Sequence, residues 1–269
     1  MASEVRYELM RPQQILDARD RAPVAYIPIG PLEWHGPHLP YGVDPLHAHV
    51  VAVGCARATG GVALPMLPVG TETYIEPDRL RHRGFKGHER IIGMDFPAFP
   101  LPSLYVEESA FGVIVHEMIR ALKRQEFRVI VLVNGHGAPN HRATLGRIAV
   151  EESEPGRVAV LLVGALLDTR VRGHAELRET SYMMAYYPET VDLTALPQIP
   201  APLITYETGV LDQPTCAGEP AADFSICREQ DPRYATAAQG REDVASEVRR
   251  ISQKVRDALA ATSGSGVPR

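Results

Sequence analysis

Cysteine is scarce in this chain. Cys55, Cys216 and Cys227 are odd in number and widely spaced, which excludes a disulfide framework and a CxxC zinc ribbon. Three reduced thiols in a cytoplasmic enzyme are expected instead. No apolar run reaches the roughly 18 to 20 residues that span a bilayer. The opening MASEVRYELMRPQQ is too polar for the apolar stretch of a secretory signal. Neither membrane association nor export is therefore expected. Positive charge is not in excess either. Lys and Arg number 28 against 33 Asp and Glu, a net charge of −5. That is the wrong sign for a surface that neutralises phosphates, so no nucleic-acid partner is expected.

What remains is an ordinary globular composition, 45% apolar and 23% charged over 269 residues. It is enough chain for a sizeable core. One local bias stands out: His35, His38, His47 and His49 fall close together in a chain with only ten histidines.

Patterning along the chain alternates strand and helix signals. VAYIPIG (24–30) is a short apolar run ending in Gly, as a buried parallel strand is. Residues 44–59 have a helical pattern, with Asp44 suited to N-cap and Pro45 to the first helical position. Gly60 and Gly61 stop that helix, and VALPMLPVG (62–70) follows as a second strand. Residues 71–103 are rich in Pro, Gly and basic side chains without a period, and are expected to form a lid-like excursion. A helix is expected over 106–124, where Phe111, Ile114, Val115, Met118, Ile119 and Leu122 keep helical spacing. Then come a strand (128–133), a helix (141–153), a strand (157–167) and a helix (175–187). An irregular Pro-rich segment (188–232) and a C-terminal amphipathic helix (239–261) complete the chain. Repeated β-α-β units imply a parallel sheet. The expected fold class is α/β: a single domain over 1–269, three-layer α/β/α, with a mostly parallel central sheet.

The chemistry gathers where such a fold binds ligands, beyond the carboxyl ends of its strands. Glu33, Trp34, His35 and His38 follow the first strand, Asn134, Gly135 and His136 follow the third, and His174 and Glu179 follow the fourth. Glu33 and His35 are two residues apart and share a side in extended chain. Carboxylates with imidazoles and no neighbouring Cys suit zinc or manganese in a reactive site. A carboxylate can also bridge two cations about 3.5 to 4 Å apart. Taken singly, each residue has a plainer reading. Asp44 could be only an N-cap, His47 and His49 ordinary helix residues, and His38 loop packing or support for the site. The combination E-x-H-x8-D, with a second strand-end His and a third strand-end H-x4-E, favours the site.

These residues resemble a known pattern. IPIGPLEWHGPHLPYGVD is similar to the first signature of the creatininase family, P-x-G-x-x-E-x-H-G-P-H-L-P-x-x-x-D. NGHG resembles its second signature and HAELRETS its third, in the same order across residues 24–187. The resemblance implies an α/β/α metal-dependent hydrolase, homo-oligomeric, holding two divalent ions, zinc or manganese, with iron or cobalt also compatible. It implies that Glu33 and His136 bind one metal, that His35 binds the other, and that Asp44 bridges them. Ala138 stands where some members have a Glu ligand, so the resemblance gives the fifth place to Glu179. His174 matches the histidine that passes a proton to the leaving group. The implied reaction is attack by metal-activated water on a carbonyl of a small cyclic amide or formamide.

The sequence also departs from the family. It reads GHGAPN where most members have GHGGN, and PAFPLPSLYVEE replaces a common Phe-Pro-Gly-Thr segment. Creatinine is therefore not the expected substrate. Trp34, His38, Tyr74, Glu76, Asn134 and Gly135 are candidates for the pocket wall. The basic run Arg79, Arg81, His82, Arg83, Lys86, His88 and Arg90 is either a solvated loop or subunit contact, or sends side chains to an anionic or hydroxyl-rich substrate. Three other functions compete with this reading. The same centre could cleave a C–C bond in a cyclic polyol diketone. A non-catalytic binding or scaffold protein would be expected to have a damaged ligand set, and this one is whole. A Rossmann-type nucleotide binder needs G-x-G-x-x-G opening a helix, which NGHGAPN does not supply.

Overall fold

A computed structural model describes residues 4–72, 75–97, 99, 101–164, 173–206, 209–210 and 227–263. Four parallel strands form the main sheet: β1 (Val24–Ile29), β2 (Val62–Ala63), β3 (Val129–Asn134) and β4 (Ala159–Gly164). Their order is β2-β1-β3-β4. β1 and β3 are buried at every position, as strands covered on both faces should be.

Side chains alternate across the pleat and build two cores. Val24, Tyr26, Val129, Val131 and Val133 face the layer of α2 (Val43–Thr59) and α7 (Ala237–Ser263). Ala25, Ile27, Ile29, Ile130 and Leu132 face the layer of α4 (Glu108–Arg124) and α5 (Pro139–Glu152). In α4 the buried Phe111, Val115, Ile119 and Leu122 recur at helical spacing, and each buried side chain of that size contributes roughly 1.5–3 kcal/mol. The arrangement is the expected α/β/α sandwich with a parallel sheet. α6 (Leu177–Tyr186) packs on α7.

Several boundaries differ from the sequence expectations. The second strand is only Val62–Ala63, continued by a single bridge between Ile29 and Leu67. Pro65 and Pro68 lack donors, and so does Pro28 on the facing strand, so the ladder cannot run on. The excursion 71–103 contains a short helix, α3 (Pro77–His82), opened by Pro at its first position. Pro139 likewise opens α5, with Ala138 as N-cap. A first helix, α1 (Pro12–Arg21), was not foreseen, because only Ala18 of it is buried and the apolar stripe is faint. In the irregular segment 188–232, short 3-10 turns and a two-stranded antiparallel pair, β5 (Thr205–Tyr206) with β6 (Gly209–Val210), are present. The expected strand end at 165–167 lies outside the described residues. No described helix is long and apolar enough to cross a membrane.

Candidate metal centre

Asp44 is the hub of the site. It sits in the first turn of α2, whose N-cap is Gly42, so its carboxylate is not the cap that its position suggested. The carboxylate turns instead to two imidazoles. Its Oδ1 lies 3.2 Å from His35 Nε2, and its Oδ2 lies 2.9 Å from His136 Nδ1. Two glycines let the strand ends come this close. A Cβ on Gly30 would sit 2.7 Å from Asp44 Cβ, and one on Gly135 would collide with the Asp44 backbone carbonyl. Gly135 is thus a backbone contact that seats Asp44, and it lies behind the cavity.

Glu33 and His35 come from the loop after β1, His136 from the loop after β3, and Glu179 from the first turn of α6. Glu33 Oε1 is 3.2 Å from His136 Nδ1 and 3.8 Å from His35 Nε2. Glu179 Oε2 is 3.9 Å from His35 Nε2. Glu33, His35, Asp44, His136 and Glu179 therefore converge on one spot, and their ligand atoms group as Glu33 with Asp44 and His136, and His35 with Asp44 and Glu179. Asp44 belongs to both groups.

His174 joins the same cluster. Its Nε2 donates to the Trp34 carbonyl at 2.5 Å, which leaves Nδ1 with a lone pair, 3.6 Å from Glu33 Oε1. Its ring lies 4.1 Å from that of His35. Glu33, His35 and His174 form a third group of candidate donors, so His174 is within ligand range as well as proton-transfer range.

The electrostatics follow from burial. Glu33, His35 and Asp44 are at most 3% exposed, and among the described residues no Lys or Arg pairs with Glu33, Asp44 or Glu179. Buried carboxylates need a counter-charge. The imidazoles supply it. Burial presses His35 down, but Asp44, Glu179 and Glu33 more than offset this and raise it to about 9. His136 is raised well above its ordinary value by Glu33 and Asp44 against the same burial penalty. Asp44 in turn is held far below the carboxylate range, since His35 and His136 outweigh its burial. Glu179 is the carboxylate left over, and burial pushes it up to about 8. Burial and the nearby His35 charge take His174 down to about 4.

One orphaned atom points to a cation. His35 Nδ1 donates to the Glu33 carbonyl at 3.0 Å, which fixes the tautomer and frees Nε2, an atom buried without a hydrogen-bond partner. His136 turns Nδ1 to Glu33 and Asp44, and its Nε2, on the far side of the ring, is buried without a partner. Tyr105, which sequence patterning did not single out, completes the support. Its hydroxyl donates to Glu33 Oε2 in a short hydrogen bond and accepts the Met94 N–H at 3.1 Å. Glu33 Oε1 is thereby left to face the imidazoles.

A cavity of about 480 Å³ opens onto this cluster, within the range of small-molecule sites. Glu33, Asp44, His136, His174 and Glu179 line its base, and Glu72, Glu76, Arg79, Arg83, Tyr105 and Arg142 line its walls. Glu76 lies at the pocket wall, and two arginines of the basic excursion, Arg79 and Arg83, reach it. Four other wall candidates do not line it. Trp34 is buried against Phe96 and Phe99, at ring distances of 5.5 and 5.9 Å. His38 Nε2 is 3.0 Å from Thr180 Oγ1 and ties the loop to α6. Asn134 bonds both the N–H and the carbonyl of His136, shaping the turn that presents that ligand, and Gly135 abuts Asp44. Tyr74 lies outside the described residues. His47, expected to be an ordinary helix residue, is buried, 3.1 Å from Glu247 and stacked on Tyr182.

The model of the family described as creatinine amidohydrolase matches residues 8–255. The chain belongs to the creatininase family. Solved structures agree on the fold. A candidate creatinine amidohydrolase from Bacteroides fragilis NCTC 9343 superposes with a TM-score of 0.65 at 19% identity, covering 96% of this chain and 98% of that one. A creatininase described as the manganese form gives 0.65 at 20% identity, covering 96% and 99%. A mutant creatininase of zinc–zinc type gives 0.64 at 20% identity with the same coverage. A search of curated proteins finds no match.

Proposed function

We propose that this creatininase-family chain is a metal-dependent hydrolase that opens the C–N bond of a small cyclic amide or formamide, using two divalent cations, zinc or manganese. Glu33, Asp44 and His136 would hold one cation, and His35, Asp44 and Glu179 the other. The observation that carries this reading is Asp44, whose two oxygens address two different buried imidazoles. The donor set is oxygen and imidazole without thiolate, which suits either metal. When bound, such cations acidify water to near-neutral pKa and polarise a carbonyl.

The chain's own groups do the rest. Tyr105 and the Trp34 carbonyl fix the orientation of Glu33 and His174. The burial of Glu33, His35 and Asp44 strengthens each electrostatic contact among them. His174, with its lone pair on Nδ1, can accept a proton and return it to the departing nitrogen. Likeness to structures described as zinc–zinc and manganese creatininases supports the metals, and the family description supports the C–N bond.

The test is elemental analysis of protein purified without chelator, followed by a screen of cyclic amides and formamides for release of amine, ammonia or formate. About two equivalents of transition metal per chain, with amine release, is the expected result. Protein that neither carries nor takes up zinc or manganese would sink the reading. Turnover without any amine or ammonia would point to the C–C bond instead.

A further inference from the structure

The cavity wall carries three guanidinium groups, and two of them are already engaged. Arg83 donates to the Gly93 carbonyl and stands 5.7 Å from the Phe96 ring centroid, and Arg79 also has a partner. Glu72 on the same wall feels both of these arginines. Arg142 is different. It lies one turn into α5, six residues after the ligand candidate His136, and lines the same cavity. Among the described residues its guanidinium has no hydrogen-bond or ion-pair partner, and its Nε is buried.

Arg142 is only partly buried and lines the substrate cavity, so its terminal nitrogens are open to whatever occupies that space, and no acceptor among the described residues competes for them. Its planar fork matches the two oxygens of a carboxylate or a phosphate ester. A cation centre on one wall and an unpaired fork on another define a substrate with two handles.

We propose that the substrate carries an oxyanion, a carboxylate or a phosphate ester, bound by Arg142 while the scissile amide meets the cation centre. This rests on the amidohydrolase reading given above and narrows its substrate class. Arg142 is then a specificity-determining residue, and neutral amides are poor ligands for this pocket.

Two matched probe pairs test it: N-formylglycine against N-formylglycinamide, and 2-formamidoethyl phosphate against N-formyl-2-aminoethanol. Affinities are measured by calorimetry on the zinc-loaded protein, with zinc content and formate release followed in parallel. The wild type should bind the anionic member of at least one pair about 10- to 100-fold more tightly than the neutral one. The favoured pair identifies the oxyanion. In Arg142→Met the ratio should fall towards one at unchanged zinc content and melting temperature. Arg142→Lys, which keeps the charge but not the fork, should fall between. Equal affinity for both members of each pair, or no binding of any of the four, overturns the proposal. So does a ratio that survives Arg142→Met, because the anion would then sit on the metals or elsewhere. Zinc content and formate release report separately on the amidohydrolase reading. An anion preference without zinc or formate release would break that reading and spare the Arg142 site.

Discussion

Between α4 and α5, the buried Glu152 is met by Lys123 Nζ at 2.8 Å, Arg120 Nε at 3.1 Å and His116 Nδ1 at 2.8 Å. At the carboxyl edge of the sheet, Glu33, Asp44 and Glu179 meet imidazoles, the Tyr105 hydroxyl and the Ala175 N–H. Both clusters combine acids with histidine. The first balances charge mainly with the ammonium of Lys123 and the guanidinium of Arg120. The second uses imidazoles, and it leaves His35 Nε2, which faces Asp44, without a hydrogen bond. A tie between helices is closed and self-sufficient. A centre that hands its positive charge to an exchangeable ion must keep lone pairs available, and that openness is what separates a site from a brace.

The largest break in this comparison is Asp44→Ala. It removes the carboxylate shared by both donor groups, so both metals should be lost and hydrolysis with them. Elemental analysis would show a fall from about two equivalents to near none. Retention of both metals would mean that Asp44 does not bridge. Next in size is His174→Ala, which should retain metal while turnover falls about 10²- to 10⁴-fold, the usual range for losing a general acid–base group. Loss of metal in that variant would reassign His174 as a ligand, a role its Nδ1 position permits.

pH sharpens the contrast without mutation. In the metal-free protein, His35 is raised to about 9 from 6.5, and Glu179 to about 8 from 4.5. For a raised group, the folded state binds more protons, so its stabilising contribution is present below the unfolded value and lost as pH rises through the folded one. The metal-free protein should therefore lose stability between pH 6.5 and 8, the window that both groups share. The lowered groups His38 and His174, both at about 4, act below pH 6.5 and do not interfere. Ligands must be deprotonated to bind metal, so metal should stabilise more as pH rises. The gap in melting temperature between zinc-loaded and chelator-treated protein should widen across that window. A constant gap would separate these protons from metal binding. A smaller effect is expected of Tyr105→Phe, which frees Glu33 Oε2: metal affinity should fall about 10- to 100-fold, as for other groups that orient ligands. Competition against a chelator would measure it.

How much of this was readable in sequence depends on how local each feature is. The strand signals of VAYIPIG and RVIVLV are continuous apolar runs, and both strands were found within a residue or so. Glu33, His35, Asp44, His136 and Glu179 follow strand ends or open helices, so topology alone brings them to one edge. Tyr105 carries no such signal. It reaches Glu33 because Leu104 bridges Leu32 across the chain, a long-range contact that no periodicity encodes. Arg142 was hidden differently. It reads as a surface helix residue until α5 is seen to begin at Pro139 and to turn that side toward the cavity. The proline-interrupted stretch 62–70 misled because β propensity does not count missing donors.

The smallest effect belongs to the other cluster. Glu152→Gln removes the acceptor that gathers Lys123, Arg120 and His116. Its partners are partly solvated, with side chains 18%, 52% and 20% exposed, so water can take over most of what is lost. The expected cost is about 1 kcal/mol of stability, measured by denaturant midpoint. Metal content and turnover should stay as in the wild type, because nothing in the cluster faces the cavity. If that variant lowered metal affinity instead, the brace and the centre would be coupled through α5, which carries Glu152 at one end and follows His136 at the other. An unchanged metal content would confine the consequences of the closed cluster to stability and those of the open one to chemistry.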